Sequence, residues 1–132
     1  MSNPNELPPW LREQLARFEQ AQQNLQAILV QKQQVDVESS EVDRALTELR
    51  KASEDDTVYK SAGNILVRAK KEDLLKDLEE RKELAGTRAT VLGKQEQRVR
   101  ETIRELQVKI EGALKGTGSS SGTSRPPPAS SS

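Results

Sequence analysis

The side chains in this sequence able to carry reaction chemistry are carboxylates, ammonium groups and guanidinium groups, and their spacing points away from catalysis. They alternate along helical stretches, as in Glu79-Glu80-Arg81-Lys82-Glu83, which is the pattern of solvated surface ion pairing rather than of a matched acid and base. Nothing in the sequence builds the dry concave pocket that such a pair needs. Gly93-Lys94 lacks both the earlier glycine and the following Ser or Thr of a phosphate-binding loop. There is no Cys and no His, so thiolate nucleophiles, imidazole bases, disulfides and the usual zinc ligands are all excluded. No catalytic residue, metal ligand or cofactor is expected, and the chain does not read as an enzyme.

What remains is the chemistry of association, and two sets of residues carry it. The first lies in Thr57–Arg68, TVYKSAGNILVR. Val58-Tyr59-Lys60-Ser61 and Ile65-Leu66-Val67-Arg68 read as two short strands joined through Ala62-Gly63-Asn64. Gly63 accepts a positive φ, and Asn64 tolerates one better than most residues. A lone two-stranded ribbon is marginal in water and leaves its edge N–H and C=O groups open. Val58, Tyr59, Ile65, Leu66 and Val67 have nothing in their own chain to cover them. The physical resolution is assembly, with hairpins of several subunits joining edge to edge into a sheet or barrel.

The second set is Leu7, Trp10, Leu11 and Leu15 near one end of the chain, and Leu106, Ile110, Ala113 and Leu114 near the other. Where two paired helices end, unpaired apolar side chains offer a non-directional surface that suits partners sharing only exposed hydrophobic segments. Trp10 brings the largest apolar area. The competing reading is that these residues only complete a helical seam.

The elements that position both sets are two long heptad-patterned segments, Trp10–Ala52 and Lys71–Leu114, flanking the hairpin. Aromatic residues are 2% and charged residues 32% of the chain, too few and too many for an ordinary globular core but sufficient for a narrow apolar seam. Pro8 and Pro9 suit a helix start. One seam class runs Leu11, Phe18, Leu25, Lys32, Ser39, Leu46, and the class three residues on runs Gln14, Ala21, Ile28, Val35, Val42, Leu49. In the second segment the classes are Leu75, Lys82, Ala89, Glu96, Ile103, Ile110 and Leu78, Ala85, Leu92, Val99, Leu106, Ala113. A period of 3.5 residues fits an antiparallel two-helix coiled coil with arms of roughly 65 Å. Pairing around the hairpin sets Leu49 near Leu75 or Leu78, Leu25 near Val99, and Leu11 near Ala113 and Leu114. Both chain ends then lie together, away from the hairpin. Lys32, Ser39, Gly86 and Gly93 weaken the middle of the seam, either as a tolerated defect or as a point of flexure.

These readings give a flexible N-terminus at 1–7, a folded domain at 8–114 (helix 8–53, hairpin 57–68, helix 70–114), and a disordered Ser/Gly/Pro tail at 115–132. Ala52–Asp56 ends the first helix, with carboxylates that oppose its dipole. The second helix lacks a favoured cap at Ala69 and Lys70, which Glu72 and Asp73 partly offset. Net charge is zero, and twelve basic against ten acidic residues in 70–115 make no DNA-binding stripe. With no apolar run of membrane length and no signal-like start, no membrane partner is expected and the location reads as cytoplasmic.

At the hairpin, V-Y-K-S-A-G-N-I-L-V over Val58–Val67 resembles the beta subunits of archaeal prefoldin, also called GimC. Leu7-Pro8-Pro9, K-K-E-D at Lys70–Asp73, E-E-R-K-E at Glu79–Glu83 and Lys94-Gln95-Glu96 reinforce the likeness, which spans about Leu7 to Leu114. A single hairpin fits the beta type, the alpha type having a longer middle with two. Gly86, Gly93 and the Ser/Pro tail depart from the pattern. The resemblance implies a mainly α, prefoldin-like fold. It implies a hexamer of two alpha-type and four beta-type subunits whose hairpins form an intersubunit β-barrel carrying six coiled-coil arms. It further implies an ATP-independent chaperone that holds unfolded polypeptides at the arm tips and delivers them to a group II chaperonin. The alternative is a coiled-coil scaffold or adaptor without general chaperone activity.

Overall fold

The computed structural model describes residues 7–118. Of the expected flexible residues 1–7, all but Leu7 lie outside the described residues, as does the tail from residue 119 onward. Two long helices flank one hairpin: α1 Pro9–Lys51, β1 Val58–Ala62, β2 Ile65–Ala69 and α2 Lys71–Gly118.

Helix α1 starts where its prolines place it. The Pro8 carbonyl accepts hydrogen bonds from the backbone N–H of Leu11 and of Arg12, both at 3.0 Å, so Pro8 is the cap and Pro9 fills the first helical position, where a missing N–H costs nothing. The helix ends at Lys51 rather than at residue 53. Ser53 N–H donates to Asp56 Oδ2 at 2.7 Å and Asp56 N–H donates to the Ser53 carbonyl at 3.1 Å, a turn that draws the chain out of the helix. The opposing charge expected from these carboxylates is answered from α2. Lys71 Nζ donates to the Ala52 carbonyl at 2.6 Å, placing a cation where helix carbonyls run out.

Helix α2 opens with the Lys70 carbonyl accepting from Leu74 N–H at 3.0 Å, and Glu72 and Asp73 lie in its first turn. It runs to Gly118, so Lys115–Gly118 is helix and not the start of the tail. Gly116 and Gly118 are poor helix formers, but extending an existing helix fixes one residue per added hydrogen bond and needs no new nucleus.

In the hairpin the register is Val58↔Ala69, Tyr59↔Arg68, Lys60↔Val67, Ser61↔Leu66 and Ala62↔Ile65. Ala62 is therefore in β1, and the turn is Gly63-Asn64 alone. Gly63 has φ +63° and no other residue has a positive φ among the described ones. Asn64 does not use the tolerance expected of it, and the turn is of the type that needs glycine first.

The chain divides into two compact units. The hairpin unit is Leu29–Lys94. Its core is Val35, Val42, Leu46, Leu49, Ala85 and Leu92. Three ion pairs join its two helical segments: Arg50–Glu79 at 3.4 Å, Asp43–Lys82 at 3.0 Å and Glu38–Arg88 at 3.4 Å. As the α1 number falls the α2 number rises, so these segments run antiparallel. The terminal unit is Met1–Ile28 with Gln95–Ser132, and buries Leu11, Ala21, Ile28, Leu106 and Ile110.

Every seam position named in α1 is buried or half-buried, including Lys32 and Ser39. In α2 only Lys82 and Ala89 are exposed, and Lys82 is the residue that pairs with Asp43. The heptad phase read from the sequence is thus the phase of burial in both helices.

Candidate association sites

The hairpin's alternation splits its side chains between two faces. Val58, Lys60, Ala62, Ile65, Val67 and Ala69 share one face by register; Tyr59, Ser61, Leu66 and Arg68 share the other. The helix ends cover only the base of the first face. Val58 and Ala69 are half-buried, Lys60 Nζ reaches Asp77 Oδ2 at 3.4 Å, and a groove of about 500 Å³ lies between β1 and the apolar side chains Leu49, Ala52, Leu74 and Leu78. Beyond that base the apolar groups are open. Tyr59 is 57%, Ile65 63%, Leu66 70% and Val67 45% exposed. The sheet has two strands, so each strand keeps one unpaired edge. Fully burying such apolar side chains is worth about 1.5–3 kcal/mol each, so the ribbon leaves unsatisfied apolar area on both faces.

The terminal unit holds all eight residues of the second set, but not in one environment. Leu11 is 1%, Leu106 7% and Ile110 7% exposed, so these three are seam residues and not the unpaired surface expected of them. Leu7, Leu15 and Ala113 are half-buried. Only Trp10, 55% exposed, and Leu114, 47% exposed, face solvent substantially. The reason is heptad phase. Leu11, Leu106, Ile110 and Ala113 continue the seam into the last turns, whereas Trp10 and Leu114 each stand one residue off it.

Two further features come from the structure. Gln14 occupies a seam position, and its Oε1 is buried without a hydrogen-bond partner. Val30 and Val37 on α1, and Leu84 and Val91 on α2, are exposed apolar pairs seven residues apart. The heptad spacing of those pairs was the available signal, and scattered apolar side chains on a surface are ordinary. Among the described residues no charged side chain is buried, no cluster of acidic residues is arranged to hold a metal, and no helix is long and apolar enough to cross a membrane.

Comparison with known proteins matches both the architecture and the hairpin. The family model described as prefoldin subunit matches residues 12–117. Prefoldin subunit beta of Archaeoglobus fulgidus is 42% identical over 109 residues, covering 83% of this chain and 94% of that one. Prefoldin subunit beta of Pyrococcus furiosus is 38% identical over 109 residues, covering 83% and 93%. The crystal structure of the prefoldin beta subunit from Thermococcus strain KS-1 superposes with a TM-score of 0.73 at 34% identity, covering 83% of this chain and 96% of that one. With one short hairpin between two long helices, and with matches that run through all of these elements, the chain belongs to the prefoldin family of chaperone subunits, as a beta-type member.

Proposed function

We propose that this chain is one of four beta-type subunits that join two alpha-type subunits in a hexamer, whose hairpins close into a β-barrel. The hexamer holds unfolded polypeptides at the helix ends carrying the chain termini and passes them to a group II chaperonin in the cytoplasm. The observation that carries the proposal is the hairpin, with Tyr59, Ile65, Leu66 and Val67 open on two faces and a free edge on each strand. Closure into a barrel removes those edges and buries those faces.

Holding needs no nucleotide, because burial of a client's apolar segments supplies the free energy. Trp10 and Leu114 form the standing apolar surface, with Leu7, Leu15 and Ala113 half-buried beside them. One such end binds weakly; several in one complex raise affinity by about 10²–10⁴-fold when geometry lets them act together.

Burial of Leu11, Leu106 and Ile110 favours a second reading, a scaffold whose helix ends are simply closed. Aggregation assays separate the two. With the alpha-type subunit present and nucleotide absent, the complex is expected to suppress aggregation of unrelated denatured proteins. Removal of 1–15 together with 106–132 should abolish suppression and leave assembly intact. Full suppression by the truncated complex would refute holding at the terminal ends.

A further inference from the structure

Exposed charge is the rule on this chain, and one stretch breaks it. Charged residues are 32% of the sequence, yet from Gln20 to Gln34 eight of fifteen residues carry side-chain amides and only Lys32 is charged. Lys32 is half-buried at its seam position, whereas all eight amides are exposed. The outer face of α1 is therefore uncharged through this stretch. Within the hairpin unit, Val30 and Val37 are each more than half exposed. They stand two residues past the seam positions Ile28 and Val35, about 200° around the helix and so turned away from the seam. With Gln33, Gln34, Glu38 and Glu41 they line an open recess of about 460 Å³. Two exposed valines alone would be ordinary. Their uncharged surround is not: the comparable stripe on α2, Leu84 and Val91, is flanked by exposed Arg81, Arg88 and Lys94.

Covering a surface takes its polar groups out of water, and a covered charge without a partner costs far more than a covered amide. An amide side chain also offers both donors and an acceptor. Gln20 Nε2 donates to Asn24 Oδ1 at 3.2 Å, so both senses are used along this face. Extended backbone presents an N–H and a C=O at each non-proline residue, whatever its sequence. Gln33 and Gln34 can answer either group of any chain laid across them. A second copy of this chain fits less well. The line Gln23, Val30, Val37, Arg44 is apolar at only two of its four positions, short of a coiled-coil seam. We propose that the outer face of α1 around Val30, Gln33, Gln34 and Val37 is a second contact for unfolded polypeptide, distinct from the helix ends. The two valines cover apolar side chains of the client, and the two amides bond its extended backbone. The inference rests on the holding function proposed above, and it lets that function accept clients of either charge.

The test uses the full chain in complex with its alpha-type partner. Binding of reduced, carboxymethylated α-lactalbumin, a permanently unfolded probe, is read by fluorescence anisotropy. Val30→Ser with Val37→Ser should weaken binding several-fold. Gln33→Glu with Gln34→Glu keeps the shape and adds charge, and should also weaken it several-fold. That second loss should persist at about 1 M salt, where repulsion is screened beyond about 3 Å but the cost of covering a charge is not. All four positions are exposed and off the seam, so complex mass and helix content should not change. A photo-crosslinking p-benzoylphenylalanine in place of Val37 should capture the probe, and one in place of Val91 should not. Unchanged binding in both double variants would overturn the proposal. So would a glutamate effect that vanishes in salt, or capture from position 91 equal to that from position 37. Light scattering of the unaltered complex without probe tests the rival occupant. A mass that doubles with concentration, and stays single in Val30→Ser with Val37→Ser, would give the stripe to a second copy and overturn the proposal. The holding function has its own control. Failure of the unaltered complex to bind the probe would overturn both readings, whereas loss of binding on Trp10→Ser with Leu114→Ser, alongside indifference to Val30→Ser with Val37→Ser, would overturn this one alone.

Discussion

Trp10 and Leu11 are neighbours in sequence and opposites in environment. Leu11 is sealed in the seam while more than half of Trp10 is open to water. Their substitutions should therefore separate stability from binding. Leu11→Ala should lower stability by about 2 kcal/mol, the low end for a buried leucine because a helix end can partly collapse around the lost volume. Trp10→Ser should shift stability by no more than about 0.5 kcal/mol yet weaken binding of an unfolded probe. Thermal unfolding read beside anisotropy checks both. At this scale the sequence was legible where periodicity alone decides: Leu11, Ala21, Ile28, Val35, Val42 and Leu49 are all buried in the phase their spacing dictates. It was less legible at the terminal set, because apolar type identified eight residues while a one-residue difference in phase decided which were buried. Gln14 was visible as a polar residue in the seam. That its Oε1 lacks a donor depends on side chains brought from elsewhere in the chain.

Among the elements, the hairpin turn and the two helix boundaries beside it depend on individual groups. Gly63 at φ +63° sits where a Cβ costs about 1–2 kcal/mol. Gly63→Val should therefore fray the hairpin, seen as loss of exchange protection at Val58–Ala62, even though a Cβ there meets no neighbour. Lys71 is the link from α2 back to the end of α1. Lys71→Met removes the ammonium at 2.6 Å from the Ala52 carbonyl and should lower stability by about 1–2 kcal/mol. That bond was not readable beforehand, since the segment between Ala52 and Lys71 had first to be folded. Gly86 and Gly93 lie in mid-helix with open space around a built Cβ. The Thr90 hydroxyl donates to the Gly86 carbonyl at 3.1 Å, a bond that tends to bend helices. Gly86→Ala and Gly93→Ala should each stabilise the hairpin unit by about 1 kcal/mol, checked by denaturant midpoint. A smaller gain would mean the unfolded state, and not the helix, absorbs the change. The helix–hairpin–helix order was legible from composition alone. The extra turn of α2 through Gly118 was not, because its glycines signal a helix end where propagation from the preceding turns carries on.

For the molecule as a whole, the balance of surfaces sets what it does. The three ion pairs between the helical segments of the hairpin unit are solvent-exposed, and exposed pairs contribute about 0–1 kcal/mol each. Salt should therefore change stability little. Among the described residues, the apolar area left open on the hairpin outweighs them, and the proposed assembly covers it with other chains. Tyr59→Asp or Ile65→Asp places a charge on that area, and either should give smaller species by light scattering while leaving helix content intact. The family is established by residues 12–117. The assembly is the proposal argued from the hairpin, and native mass spectrometry of this chain mixed with an alpha-type subunit tests it most directly. The expected result is a single complex containing four copies of this chain and two of the partner, lost on Ile65→Asp. A folded monomer that keeps its hairpin open to solvent in the partner's presence would contradict the account.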